Sequence, residues 1–475
     1  MKLFNYCHSF LPTFKKRWIG IISITCIMIV QGCQNSTDNK DAAEADSSVV
    51  RLITLDPGHF HAALVQKSMY EGVDSTVYVY APEGPDVESH LKLIDSYNSR
   101  SENPTSWVEK VYTGDDYLEK MLAEKPGNVV VMAGNNQKKT HYIKQSIDAG
   151  LNVLADKPMA ITTADFNLLK DAFSAAEKNG VLLYDIMTER YEIRSILQKE
   201  MSQLPELFGE LEKGTRDNPA IIKESVHHFF KEVSGVPLKR PSWFYDVDQA
   251  GNGLVDITTH FVDLAQWQAF PDTKIDYTKD IEVLDARNWS TDLSLSQFEK
   301  STGATSFPEF LQKDVKGDVL QVYSNGEMNY SLKGVHVRIS VTWNFEAPAG
   351  TGDTHVSVLR GTKANLVIRQ GKEQGYKPVL YIEAAEGTTL SEEALKSSFE
   401  KLQAKFPGVD YKKHQSGWEV VIPEKYQIGH EAHFALVTEK FLEYLKDGNM
   451  PGWEVPNMIA KYYTTTQALE KAVKE

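Results

Sequence analysis

The chain of 475 residues has three cysteines, and two of them, Cys7 and Cys26, lie in its first 32 residues. Beyond Cys33 there is none. The body of the chain therefore cannot build a disulfide, a cysteine nucleophile, a thiolate zinc site or an iron–sulfur cluster. Basic residues are also in deficit: 51 Lys and Arg face 65 Asp and Glu, for a formal net charge of −14. Residues 1–32 hold four of the basic side chains (Lys2, Lys15, Lys16, Arg17) and no acid, so the remainder stands at −18. So acidic a body excludes binding nucleic acid through clustered Lys and Arg. Long apolar runs are missing too. The run from Trp18 to Val30 falls short of the roughly 20 residues that span a bilayer.

What is present reads as a globular protein with an address. Hydrophobic residues make up 41% and charged residues 24%, enough for two or three domains of about 150 residues each. Lys15-Lys16-Arg17, the short apolar run and Val30-Gln31-Gly32-Cys33 together resemble a bacterial lipoprotein leader. The leader predicts a signal peptide over 1–32, acylation at Cys33 and a polar, flexible tether over 33–48. The protein is thus expected to be exported, facing the periplasm or held at the outer membrane, and to touch the membrane only through its lipid. The alternative is a plain secretory signal in which Cys33 is incidental.

From Val49 the pattern is apolar strand, turn, helix, repeated. Val49–Leu55, Thr76–Ala81, Asn128–Gly134, Asn152–Ala155 and Val181–Asp185 are strand-like, with helices over Lys138–Ala149 and Thr163–Asn179. Continuous apolar strands alternating with helices predict a parallel sheet covered on both faces, a Rossmann-type doubly wound domain over 49–187. After about Asp272 the segments alternate and are punctuated by turns: Val319–Tyr323, Met328–Leu332, Val335–Trp343, Thr354–Arg360, Ala364–Arg369 and Val379–Ala384. These predict a large, open, mostly antiparallel sheet in an α+β domain over 188–475. Helices are expected over Ser391–Phe406 and over Gly429–Lys474, the latter interrupted near Pro451.

Three groups of residues carry chemistry. The first βα turn, Asp56-Pro57-Gly58-His59-Phe60-His61, keeps only the middle glycine of a G-x-G-x-x-G loop, the one that lets backbone approach a pyrophosphate. Glu83, after the second strand, stands where an acid could hold a ribose hydroxyl, though it also suits a solvated loop. Ala155-Asp156-Lys157-Pro158 ends a strand, and the proline holds Lys157 extended at the carboxyl edge of the sheet. Finally, Gly251-Asn252-Gly253-Leu254-Val255-Asp256-Ile257-Thr258-Thr259-His260 places Asp256 and His260 four apart, on one face of a helix. His260 can titrate near neutrality and suits a proton acceptor.

Asp156-Lys157-Pro158 and the run Gly251 to His260 resemble the strand-ending Glu-Lys-Pro and the later Gly-Gly-x-Leu-x-Asp-x-x-x-His of the glucose–fructose oxidoreductase / inositol dehydrogenase (Gfo/Idh/MocA) family. Glu189-Arg190-Tyr191 falls where that family has an Arg–aromatic pair. The resemblance covers 49–270 well and 271–475 in outline. It implies an NAD- or NADP-dependent oxidoreductase, NAD favoured and tightly bound, that exchanges hydride with a sugar or glycoside hydroxyl, at C3 in one version. Lys157 would polarise the oxygen, His260 accept the proton, and Asp256 orient His260 or bind the sugar. Cofactor contacts are assigned to Gly58, His59, Phe60, Glu83, Asn135, Asn136, Asp156, Lys157 and Glu189.

Substrate contacts are assigned to His228, Trp243 and Tyr245, and association of copies to the C-terminal sheet. Two glycines of the loop are replaced, and the loop from Asn135 to His141 reads as longer than the family's. His59-x-His61 and His227-His228 come without the acid and third ligand of a firm metal site, so no metal is assigned. Two other readings stay open: a lipid-anchored carbohydrate-binding protein that has lost the cofactor, and a redox-neutral NAD-dependent glycosidase or lyase.

Overall fold

The computed structural model describes residues 49–474 apart from 234, 235 and 238. The expected signal peptide, Cys33 and the tether lie outside the described residues. Ser48–Glu475 form one compact unit.

Its first half is a parallel sheet of six strands: β1 (Leu52–Leu55), β2 (Thr76–Ala81), β3 (Val108–Thr113), β4 (Val129–Met132), β5 (Asn152–Asp156) and β6 (Leu183–Ile186). They lie in the order β3-β2-β1-β4-β5-β6, the doubly wound arrangement. Every residue of β1, β4 and β6 is buried, so both faces must be covered. Helices α1 (His61–Val65), α2 (Pro85–Ser99), α3 (Tyr117–Glu124), α4 (Asn136–Asp148) and α5 (Thr163–Asn179) connect the strands. Local chemistry fixes their ends. Thr162 and Asp165 form a reciprocal capping box on α5, and Gly180 ends it in the left-handed region. Asn135 caps α4 by accepting from the Gln137 amide, so Asn135–His141 is a helix start and not a long loop.

The second half is an eleven-stranded sheet. Its principal strands are β7 (Ile221–Phe230), β8 (Ile281–Ser294), β9 (Val319–Leu332), β10 (Val335–Glu346), β11 (Thr354–Arg360), β12 (Ala364–Gln370), β13 (Val379–Ala384), β14 (Asp410–His414) and β15 (Gly417–Val421). They run in the order β14-β15-β13-β12-β11-β7-β10-β9-β8, antiparallel except for β7 beside β10, with Val473–Lys474 parallel to β8 at the edge. The longer helices of this half are α6 (Ile193–Ser202), α7 (Thr258–Ala269), α8 (Glu392–Lys405), α9 (His430–Asp447) and α10 (Glu454–Lys471), with short ones at Val247–Ala250, Tyr277–Asp280 and Leu295–Thr302. Although α9 and α10 come last in the chain, Phe434, Val437, Phe441, Met458 and Tyr462 pack into the core of the first sheet.

Two expectations are corrected here. Val319–Tyr323 and Met328–Leu332 are not two strands joined by an Asn-Gly turn but one strand, β9. The Asn325 side chain accepts from the Trp343 amide (2.6 Å) and donates to the Trp289 carbonyl (3.0 Å), bridging both neighbouring strands. Gly326 is needed because a Cβ there would lie 2.7 Å from Leu254 Cγ. The strands β3, β7 and β8 also escape the sequence pattern. β3 is an edge strand whose residues are all at least partly exposed, and β8 is broken by two bulges that interrupt its alternation.

Buried charge joins the halves. Arg190, just past β6, grips Asp263 on α7 through two bonds (2.6 and 2.7 Å) and both oxygens of Glu454 on α10 (3.0 Å each). Lys461 on α10 reaches Asp185 at the end of β6 (2.6 Å) and Asp263 (2.9 Å). Because all five groups are buried, removing one strands the charge of its partners. Asp263→Asn is therefore expected to destabilise the fold by about 3–5 kcal/mol, read as a lower urea midpoint.

Burial also holds His90 and His433 neutral, pushing each down to about 4. The unfolded chain binds those protons below about pH 6.5 and the folded chain does not, so stability falls as pH drops from 6.5 towards 4. The limiting slope is about 1.4 kcal/mol per pH unit for each histidine. His90→Leu should flatten the measured slope of stability against pH in that window.

Candidate active site

Three loops at the carboxyl edge of the parallel sheet and the start of α7 meet at one place. In the β1–α1 loop, Asp56 has φ +46°, a left-handed position that Asp tolerates better than most residues and that glycine would fill in an ordinary phosphate loop. Its carboxylate turns away from the loop and accepts from the hydroxyls of Tyr142 (2.9 Å) and Tyr117 (3.4 Å). Gly58 is closely packed, since a Cβ would stand 3.1 Å from Asp86 Oδ2 and 3.3 Å from Trp243 Cζ2 and would push both side chains back. The Gly58 and His59 amides both donate to the Ala133 carbonyl (3.2 and 3.1 Å).

At the end of β5, Lys157 Nζ donates to Asp256 Oδ1 at 2.5 Å across 99 residues of sequence. Asp256 sits in the turn before α7, and His260 in the first turn of that helix. Asp256 thus positions Lys157 rather than His260. His260 is buried, and its Nδ1 has no hydrogen-bond partner. Burial, then Lys157 and His430, hold its pKa well below the ordinary histidine value, so the imidazole is neutral at neutral pH.

The neighbouring expected contacts fall as follows. Asp156 is buried and bound to His61 Nδ1 at 2.9 Å. Phe60 is 39% exposed at the head of α1, and Glu83 is exposed after β2. Asn135 and Asn136 are committed to the short helix 247–250, through Gln249 Oε1 (2.7 Å) and the Ala250 carbonyl (2.6 Å). Glu189 lies 3.9 Å from His430, and desolvation and Glu192 push it up to about 7.

Two of the three residues assigned to substrate go elsewhere. Tyr245 is 1% exposed, with its hydroxyl on Ser301 and its ring against Phe229 and Phe298. It is a core residue, because a side chain packed on all sides leaves no surface for a sugar. Trp243 belongs to the phosphate-loop side, where its indole donates to Asp86 at 2.9 Å beside Gly58. His228 is buried at the end of β7 and bound to Asp353 at 2.8 Å. Phe244, Phe229 and Trp343 instead wall a narrow cleft that opens on Asp256. The sequence did not single out Asp86, Asp353 or His430 as site residues. Nothing local marks them, since each is brought in from a different element.

For a nicotinamide dinucleotide the site offers acids at the ribose end and Lys157 at the other, while Trp243 lies over Gly58 between them. The acids Glu83 and Asp86 lie where a ribose would be held, and residues 82–91 contain no Lys or Arg to receive a 2′-phosphate.

Comparison with known proteins agrees. The family model "Oxidoreductase family, NAD-binding Rossmann fold" matches residues 78–185, and "Putative oxidoreductase C terminal domain" matches 197–473. No curated protein matches the chain significantly. Among solved structures, a "putative oxidoreductase" from Parabacteroides merdae is 58% identical, with a TM-score of 0.88 over 89% of this chain and 97% of that one. KijD10, a 3-ketoreductase from Actinomadura kijaniata in complex with NADP and TDP-benzene, is 13% identical, with a TM-score of 0.54 over 90% and 98% of the two chains. GenD2 from gentamicin A biosynthesis, in complex with NAD, is 16% identical, with a TM-score of 0.51 over 89% and 94%. The last two likenesses show the fold alone. Since the C-terminal model spans more than half of the sequence and the Parabacteroides relative almost all of the described part, the chain belongs to the Gfo/Idh/MocA family of NAD(P)-binding oxidoreductases.

Proposed function

We propose that the protein oxidises a hydroxyl-bearing carbon of a sugar or glycoside, at C3 in one version, and returns the hydride from the bound cofactor to the same sugar or to a second one within the cycle, so that NAD is kept bound and recycled in place. The observation that carries this reading is the Lys157–Asp256 pair at 2.5 Å beside the unpartnered nitrogen of His260. The residues that would hold the cofactor are Gly58 near the pyrophosphate, Glu83 and Asp86 at the ribose, and Lys157 at the nicotinamide end. Bound there, NAD supplies the hydride acceptor.

The chain's own residues handle the oxygen and its proton. Asp256 fixes the Lys157 ammonium at the carboxyl edge of the parallel sheet, where it stabilises charge developing on the substrate oxygen. His260, neutral and desolvated, accepts the hydroxyl proton at a ring nitrogen. Export as a lipoprotein, suggested by residues 1–33, supports a retained cofactor, because no recycled NAD(H) pool exists outside the cytoplasm. An internally redox-neutral elimination on a glycoside is compatible with the same residues.

One observation favours a second reading, a carbohydrate-binding protein without cofactor. The two loop amides that would face a pyrophosphate are bonded to Ala133, and Trp243 covers Gly58. Denaturing the purified protein and measuring nicotinamide dinucleotide in the supernatant separates the two. About one NAD per chain is expected. An empty protein that also fails to bind added NAD or NADP would overturn the oxidoreductase reading and leave the binding one.

In the active enzyme, Lys157→Met and His260→Ala should each lower kcat by about 10²–10⁴-fold with the melting temperature retained. Since His260 must be neutral to accept a proton, kcat/KM should fall with decreasing pH only well below the ordinary histidine range. A limb near pH 6.5 that vanishes in His260→Ala would contradict the assignment.

A further inference from the structure

His59-x-His61 remains unabsorbed by the oxidoreductase chemistry, and the structure supplies what the sequence did not show beside it. We propose that His59, His61 and Asp156 form a site for one divalent transition-metal ion of the zinc class, at the carboxyl edge of the parallel sheet. One ligand atom from each residue lies within 4.8 Å of the others. His61 Nδ1 and Asp156 Oδ2 are 2.9 Å apart. Two metal–ligand bonds of about 2.1 Å at a tetrahedral angle separate their donor atoms by about 3.4 Å, so this pair needs to open by only about half an ångström. The His59 and His61 rings are 4.0 Å apart and nearly perpendicular. His59 Nδ1 accepts from the His61 amide, which leaves its Nε2 for a ligand.

Two features make this more than a chance cluster. The ligands come from loops 95 residues apart in sequence, and His61 and Asp156 are both buried. The buried Lys139, which could have neutralised Asp156, instead bonds its backbone carbonyl at 3.0 Å and leaves the carboxylate to His61. Phe434, 4.6 Å from the His61 ring, and His430, 6.0 Å from it, close the outer side. Two imidazoles and one carboxylate without sulfur suit Zn²⁺ ahead of Mn²⁺ or Fe²⁺ in affinity, and three protein ligands leave a position for water or a substrate oxygen. The cations of Lys139 and Lys157 nearby weaken the attraction, so micromolar affinity is expected rather than that of a closed structural site.

The test uses the full-length chain without a histidine tag, stripped with chelator. It is titrated with Zn²⁺ by calorimetry and with Co²⁺ by visible absorption. The expected result is one equivalent bound with Kd of about 10 μM or tighter, and cobalt bands of low-symmetry coordination. His59→Ala, at a half-buried position, and His61→Gln should each weaken binding by about 100-fold or more. Asp353→Asn, which dismantles the separate His227–His228–Asp353 group, should leave it unchanged. No saturable binding, binding that survives His59→Ala in a folded protein, or binding lost in Asp353→Asn would each overturn the proposal. Because the readout is bound metal, it is independent of whether the enzyme turns over a sugar.

Discussion

Everything at the site depends on the buried charges around Asp263. One turn before Asp263 on α7 stands His260, and Arg190 and Lys461 clamp Asp263 to the end of β6 and to α10. A buried ion network adds little net stability over an apolar core of equal volume, because desolvation offsets attraction. It does penalise every other docking of the two sheets, since any shift leaves a charge without its partner. The network therefore sets the distance between Lys157, carried by the first sheet, and Asp256, carried by the segment leading into α7. A contact of 2.5 Å between a side chain just past β5 and one in the turn before α7 needs such a fixed frame.

Much of the frame was legible in the sequence because burial writes its own pattern. β1, β4, β5 and β6 are short, mostly apolar runs, and α4 and α5 between the last three carry side-chain caps. What was not legible fails for identifiable reasons. β3 is an exposed edge strand with no apolar signature. Asn325-Gly326 looks like a hairpin turn, but the asparagine bridges neighbouring strands and the glycine makes room for Leu254. Within the site, Lys157, Asp256 and His260 could be picked out by motif and do converge. The partner of Asp256 could not, because spacing within a helix suggested His260 whereas the tertiary contact is Lys157. Trp243 and Tyr245, adjacent but for one residue, point to a loop and to a core respectively, a distinction that only packing makes.

The altered phosphate loop is held by side-chain bonds where a glycine-rich loop relies on backbone freedom. Asp56 occupies the left-handed position, held by two tyrosine hydroxyls from α3 and α4. Where a third glycine would let helix and strand approach, His61 fills the space and ties α1 to Asp156 on β5. Conformational freedom has been replaced by specific bonds, so the loop is rigid before any ligand arrives. A preorganised loop loses less entropy on binding than a glycine-rich one.

The last two helices of the chain have a bearing on the order in which the molecule is assembled. Phe434 and Tyr462 belong to the core of the first sheet, and Glu454 lies 264 residues from Arg190, its partner. The nucleotide half, though made first, is missing part of its own interior until residues near Lys461 have been synthesised. Such a chain resembles a clasp in which α9 and α10 close late onto the first sheet. A partly made or trimmed molecule exposes apolar surface beside β6 and leaves Arg190 without Glu454 and Asp185 without Lys461. The frame of the site is thus finished only once α10 has been made.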